Sequence, residues 1–180
     1  MKGSLMKTRQ LIVWAGMALT SCLEPTQVTF KITTDLACDQ VGAVAITAGL
    51  EGETEKAEPL EVVKSCTPQG TVAAVGTYAV TPRGRDRVVA SFKAVLAVNP
   101  EVDVVSECIA TKGYRGCVVA RRRISFVLHR SLTVPVELLL GCEGVQCDQD
   151  TSCNRAGRCS SSLIDTDRCS ASNVCEETFT

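Results

Sequence analysis

The stretch Val88-Val89-Ala90-Ser91-Phe92-Lys93-Ala94-Val95-Leu96-Ala97-Val98 decides the fold. Val88, Ala90, Phe92, Ala94, Leu96 and Val98 share one face of an extended chain, and Ser91 and Lys93 lie on the other. Successive side chains of a strand point to opposite faces, so this period of two predicts a half-buried strand. The same alternation sets Val28, Phe30 and Ile32 against Thr29, Lys31 and Thr33, and it returns in Leu132, Val134, Val136, Leu138 and Leu140. Strands are expected over 27–35, 41–48, 60–65, 71–80, 86–98, 117–128 and 131–140, where β-branched residues are enriched.

Turn signals such as Thr81-Pro82-Arg83-Gly84 separate these runs, and no segment carries a helical stripe. The fold class expected is mainly β: a single antiparallel β-sandwich, Ig-like or transthyretin-like in general form, over residues 27–140. Glu51, Glu53, Glu55 and Glu58 make the segment 50–58 acidic, which reads as a solvated loop.

The N-terminus is different in kind. Lys2, Lys7 and Arg9 precede an apolar run from Leu11 to Leu19. At about 1.5 Å per residue that run is too short to cross a hydrocarbon core of about 30 Å. A charged start, a short apolar run and small residues after it mark an export signal. It ends in Leu19-Thr20-Ser21-Cys22. This resembles the lipobox of bacterial lipoproteins, in which the cysteine is lipidated and becomes the first residue. The resemblance implies a signal peptide over 1–21, lipidation of Cys22 and a short anchor linker over 22–26. Leu23 rather than Asp follows the cysteine, which by the same resemblance implies outer-membrane delivery.

Cysteine arithmetic agrees with that division. The chain holds 11 cysteines, an odd number. Setting Cys22 aside leaves ten, and in an oxidising compartment these predict five disulfides. Cys38 follows the first expected strand and Cys66 the third, so both fall at one end of the sandwich and should pair. Cys108 and Cys117 bracket a loop containing Gly113 and Gly116 and should close it. With no CxxC pair and a single histidine, His129, a zinc site is not expected.

From Gly141 the composition changes. Residues 141–180 hold Cys142, Cys147, Cys153, Cys159, Cys169 and Cys175 and few large apolar side chains. Such a segment is expected to be an irregular, disulfide-stapled tail. Six cysteines permit fifteen pairings, and the sequence alone does not choose among them. The spacing of the first four, with Gly157 before Arg158-Cys159, resembles the first half of small EGF-like knots. That resemblance implies Cys142–Cys153 and Cys147–Cys159, with Cys169–Cys175 left as a local loop. Ser160, Ser161 and Ser162 are expected to be a flexible joint. The order lipobox, Val-rich β-domain and "GCEGVQC…TSCNRAGRC" tail resembles predicted surface lipoproteins common in myxobacteria, which implies location and architecture but no activity.

Function classes narrow accordingly. Three of the 19 basic residues leave with the signal, so the mature chain sets 16 against 20 acidic residues, and bulk charge does not suit nucleic acid. His129 is the sole candidate imidazole base and lies at a strand end, without a nucleophile elbow, so no catalysis and no cofactor are expected. Asp148-x-Asp150 and Asp165-x-Asp167 supply too few oxygens for calcium. Arg121 and Arg123 should line one exposed face of their strand while Arg122 turns to the core with Ile124 and Phe126. With Arg115 and Tyr114 they form a candidate site for an anionic ligand or glycan; otherwise they are charges on an exposed face and edge. The leading expectation is a lipid-anchored cell-envelope protein with a structural or protein-interaction role. Its partners would be the membrane, through the anchor, and an envelope or extracellular protein. Seven alternating strands would place the tail at the end of the sandwich away from the membrane.

Overall fold

In a computed structural model, residues 23–82, 88–109 and 113–176 are described. Among the described residues eleven strands form: β1 (Gln27–Thr34), β2 (Val44–Leu50), β3 (Glu61–Val63), β4 (Thr67–Gln69), β5 (Val72–Val80), β6 (Val89–Ala97), β7 (Cys117–Ser125), β8 (Ser131–Leu138), β9 (Thr151–Cys153), β10 (Cys159–Ser161) and β11 (Leu163–Ile164). One sheet runs β4-β5-β1-β8 and the other β11-β7-β6-β2-β3, with β9 and β10 a separate hairpin. The inner faces meet in one apolar core. At its centre the Phe30 and Phe92 rings stack, with centroids 4.2 Å apart, and both are fully buried. The fold is therefore a mainly β sandwich, as the alternation of residues 88–98 predicts.

Most pairings are antiparallel, but β1–β8 and β11–β7 are parallel. In the first, the last long strand of the chain lies beside the first and runs in its direction. Between β6 and β7 the chain forms a short π-helical turn, Val104–Ile109. Val104 and Cys108 of this turn cover Ala45, Val95, Ala97 and Val119 on the outer face of the five-stranded sheet. That sheet is thus covered on both sides, which explains why eight of nine β6 residues are buried.

The tail departs from expectation. β8 does end at the far end of the sandwich, with Leu138 beside Thr34. The chain then turns back. Along the free edge of β7, Arg121 N–H donates to the Ser152 hydroxyl at 3.0 Å and Arg123 N–H to the Ser162 carbonyl at 2.8 Å. Along the free edge of β8, Thr133 N–H donates to Asn173 O at 2.8 Å, and Cys175 N–H donates to Thr133 O at 2.9 Å. The tail is therefore not an appendage pointing away. It satisfies backbone groups on two sheet edges, and Cys142, Cys153, Ile164 and Cys175 join the core. Ser162 is buried and bonded to Asp150 and Arg123 rather than part of a flexible joint.

Five disulfides close Cys38–Cys66, Cys108–Cys117, Cys142–Cys153, Cys147–Cys159 and Cys169–Cys175. This density fits an extracellular or envelope-exposed protein, because cytosolic thiols are kept reduced. Among the described residues no helix is long and apolar enough to cross a membrane.

Candidate functional site

The outer face of the five-stranded sheet has an apolar half under the π-helical turn and a polar half beside it. Register builds the polar half. Thr47, Lys93 and Arg121 lie in one cross-strand row, and Gly49, Ser91 and Arg123 in the next. The connection after β2 folds back over these rows. Glu55 grips Arg121 with two hydrogen bonds, from Nε at 2.7 Å and Nη2 at 3.2 Å. The same carboxylate meets Lys93 Nζ at 3.5 Å. Glu51 pairs with Arg123, which also meets Asp150 of the tail at 2.9 Å. Between them the Thr54 and Ser91 hydroxyls bond at 2.9 Å, both buried. The acidic segment 50–58 is a largely exposed loop, as expected, but Glu51, Thr54 and Glu55 make it a strap across the sheet. Its carboxylates are drawn down by cations that the strand alternation had already put on that face.

Burial and charge compete here. Burial raises the Glu55 pKa, but hydrogen bonds and charge from Arg121 and Lys93 outweigh it and hold the carboxyl below its ordinary value. Burial pulls Lys93 down, and Glu55 only partly restores it while Arg121 pushes the same way as burial. Tyr114 sits beneath the Arg121 guanidinium, 6.0 Å from carbon to ring centroid, a cation–π distance. Burial raises its hydroxyl pKa, opposed by Arg121.

Arg121 is only 4% exposed and ion-paired, so it does not lie on an open face as expected. Arg122 does turn inward, towards the sandwich interior. Its Nη1 donates to Arg121 O at 2.6 Å and to the Ser152 hydroxyl at 3.1 Å, and its Nε to Pro135 O at 3.3 Å. Burial presses its pKa down to about 10. Arg115 is exposed on the turn after Tyr114.

The other expected residues lie apart from this site. Cys22 and the lipobox fall outside the described residues. His129 is exposed in the turn between β7 and β8, in a left-handed conformation at φ 57°, and its N–H donates to the Thr26 hydroxyl at 2.9 Å. Asp165 accepts the Asp167 N–H at the start of a short 3₁₀ turn, and Asp150 serves Arg123. Among the described residues no cluster of three or more His, Cys, Asp or Glu is placed to hold a metal. Sequence reasoning missed Glu51, Glu55 and Ser152 as partners of the arginines. The signal available was the coincidence of an acidic loop and a basic strand in one small domain.

Clefts remain. One of about 600 Å³ opens between the sheets on the side away from the tail, lined by Leu60, Tyr78, Val80, Val88 and Phe126 among others. Another, about 550 Å³, lies at the end of the sandwich far from Gln27, against Val41, Val62, Lys64, Glu101 and Val105.

No family model matches the chain, and no curated protein matches it. Among solved structures, a fimbrial assembly protein from Parabacteroides distasonis is 7% identical at a TM-score of 0.36, over 62% of this chain and 51% of that one. The chain spans about half of that protein's length, and a likeness this low does not define a shared fold.

Proposed function

We propose that the protein is a lipid-anchored component of a bacterial cell envelope, held at the outer membrane through Cys22, with a structural or partner-binding role and no catalysis. The observation that carries this reading is the cysteine count. Ten cysteines close five disulfides among themselves, and the eleventh stands at the end of Leu19-Thr20-Ser21-Cys22. Each buried methylene of an acyl chain contributes about 0.8 kcal/mol, so two chains give stable anchoring. Leu23 to Thr26 span at most about 14 Å. Thr26 is pinned to the His129 turn, so that end of the sandwich would face the membrane. The opposite end, with its cleft around Val41, Val62 and Val105, would face outward and offer the partner surface.

Cells expressing the wild-type chain and a Cys22→Ser variant, fed labelled palmitate, test the anchor. The wild type should take up label and partition into detergent. The variant should do neither. Label retained by Cys22→Ser, or absent from the wild type, removes the proposal.

A further inference from the structure

The polar face buries two cations, Lys93 and Arg121, against one carboxylate. Lys93 and Arg121 are direct cross-strand partners, and like charges in that position destabilise a sheet. Both are almost fully buried, at 3% and 4% exposed. One carboxylate, Glu55, serves the pair. Lys93 Nζ has three donors, yet among the described residues it meets only a Glu55 oxygen at 3.5 Å, long for a charge-assisted bond.

The strap over these cations is held by side chains alone. Among the described residues every backbone–backbone hydrogen bond of residues 51–59 runs within the loop or to Leu50 beside it. Gly52, at φ 83°, lets the chain turn back over the sheet. Its contacts with the face are the Glu51 and Glu55 ion pairs and the Thr54–Ser91 hydroxyl bond. Each ion pair is one that an anionic ligand could replace.

We propose that Lys93, Arg121 and Arg123 form a binding site for a polyanion, and that the acidic strap occupies it as an intramolecular competitor. Arg121 and Arg123 stand two residues apart on one strand, about 7 Å. The ligand would carry two carboxylate or phosphate groups at about that spacing, one over Arg123 where Glu51 lies and one over Arg121 and Lys93 where Glu55 lies. Guanidinium forks suit both group types, since each accepts two parallel N–H bonds. The site does not depend on the lipid anchor.

Full-length protein in detergent is titrated with inorganic tripolyphosphate and, separately, with a uronic-acid oligosaccharide, while amide hydrogen exchange is followed. Binding should speed exchange at residues 53–57 at least tenfold, because the strap is displaced. The probe that does so identifies phosphate or carboxylate as the ligand group. Glu51→Gln/Glu55→Gln should bind the same probe at least tenfold more tightly than wild type, and Arg123→Gln should lose most of the affinity. Neither probe binding, or binding that leaves the wild-type strap's exchange unchanged or slowed, overturns the proposal. The wild-type exchange measurement decides even if a variant fails to fold.

Discussion

The two long sides of the sandwich are closed by different means. On the β7–β8 side, the tail lies along both sheet edges and sends Cys142, Cys153, Ile164 and Cys175 into the core. On the other side, β3 pairs only with Val44–Ile46 and β4 only with Val72–Ala74. Beyond those short pairings the sheets part, and a cleft of about 600 Å³ stays open. The tail has few large apolar side chains, yet it seals its side better. Disulfides hold a polar chain in place, so that cysteine sulfur with Ile164 and Val145 fills the seam.

The core common to both sides sets the largest effect. Phe92 stacks on Phe30 and leans on Tyr78, which lines the open cleft, at 6.2 Å between centroids. Phe92→Ala should cost about 3–5 kcal/mol, read as a fall in the urea midpoint. A loss below about 1 kcal/mol would mean that the open side already tolerates voids, and the contrast between the sides would disappear.

Removing single disulfides separates the tail's covalent role from its packing role. Cys142–Cys153 and Cys147–Cys159 close loops of nearly equal size, with separations of 11 and 12 residues. Their entropic contributions should therefore match, at about 2–4 kcal/mol each. Cys142 and Cys153 are buried in the shared core, whereas Cys159 is exposed. Replacing both cysteines of the first pair by Ser should therefore cost more than replacing both of the second, and should lower the melting temperature of the whole sandwich. Equal losses would show that the tail packs on the sandwich without supporting it.

How much of this was legible depended on range. Period two found the long strands, with 86–98 expected and Val89–Ala97 observed. β4 was hidden because Pro68 lies inside it and proline does not donate to a ladder. β9, β10 and β11 are three, three and two residues long, too short for a pattern to register. Cys108 and Cys117 were legible because the loop they close is local. The Arg121–Glu55 pair spans 66 residues, and nothing in spacing or composition assigns one glutamate of an acidic loop to one arginine of a basic strand. The folding back of the tail was equally hidden, since it rests on backbone bonds to edges whose position the strand order alone determines.

Ser152 tests the tail's polar attachment with a smaller effect. Its hydroxyl accepts from the Arg121 N–H and from Arg122 Nη1. Ser152→Ala takes the acceptor from the buried Arg121 N–H and one of the acceptors from Arg122 Nη1, and should cost about 1–3 kcal/mol. The loss should vanish in a chain already lacking the Cys142–Cys153 bond, if that bond is what keeps Ser152 on the β7 edge. Additive losses in this double-mutant comparison would instead make the two attachments independent.

The smallest effect concerns the strap, which closes a face rather than a side and does so by two ion-paired glutamates and one hydroxyl bond. Glu55 has a folded pKa below its unfolded one, because the pull of Arg121 and Lys93 outweighs burial. A carboxylate so shifted contributes fully above its unfolded pKa of about 4.3, and that contribution is lost as pH falls through the lower folded value. Glu55→Gln should therefore cost about 1–2 kcal/mol at pH 7, less than a fully buried charged hydrogen bond because solvent screens the half-buried carboxylate, and progressively less as pH falls through the lowered folded value. Urea midpoints of both proteins measured from pH 7 to pH 2 should converge at the acid end. Curves that stay parallel would mean that Glu55 acts through packing, and the strap would then be held in the same way as the tail.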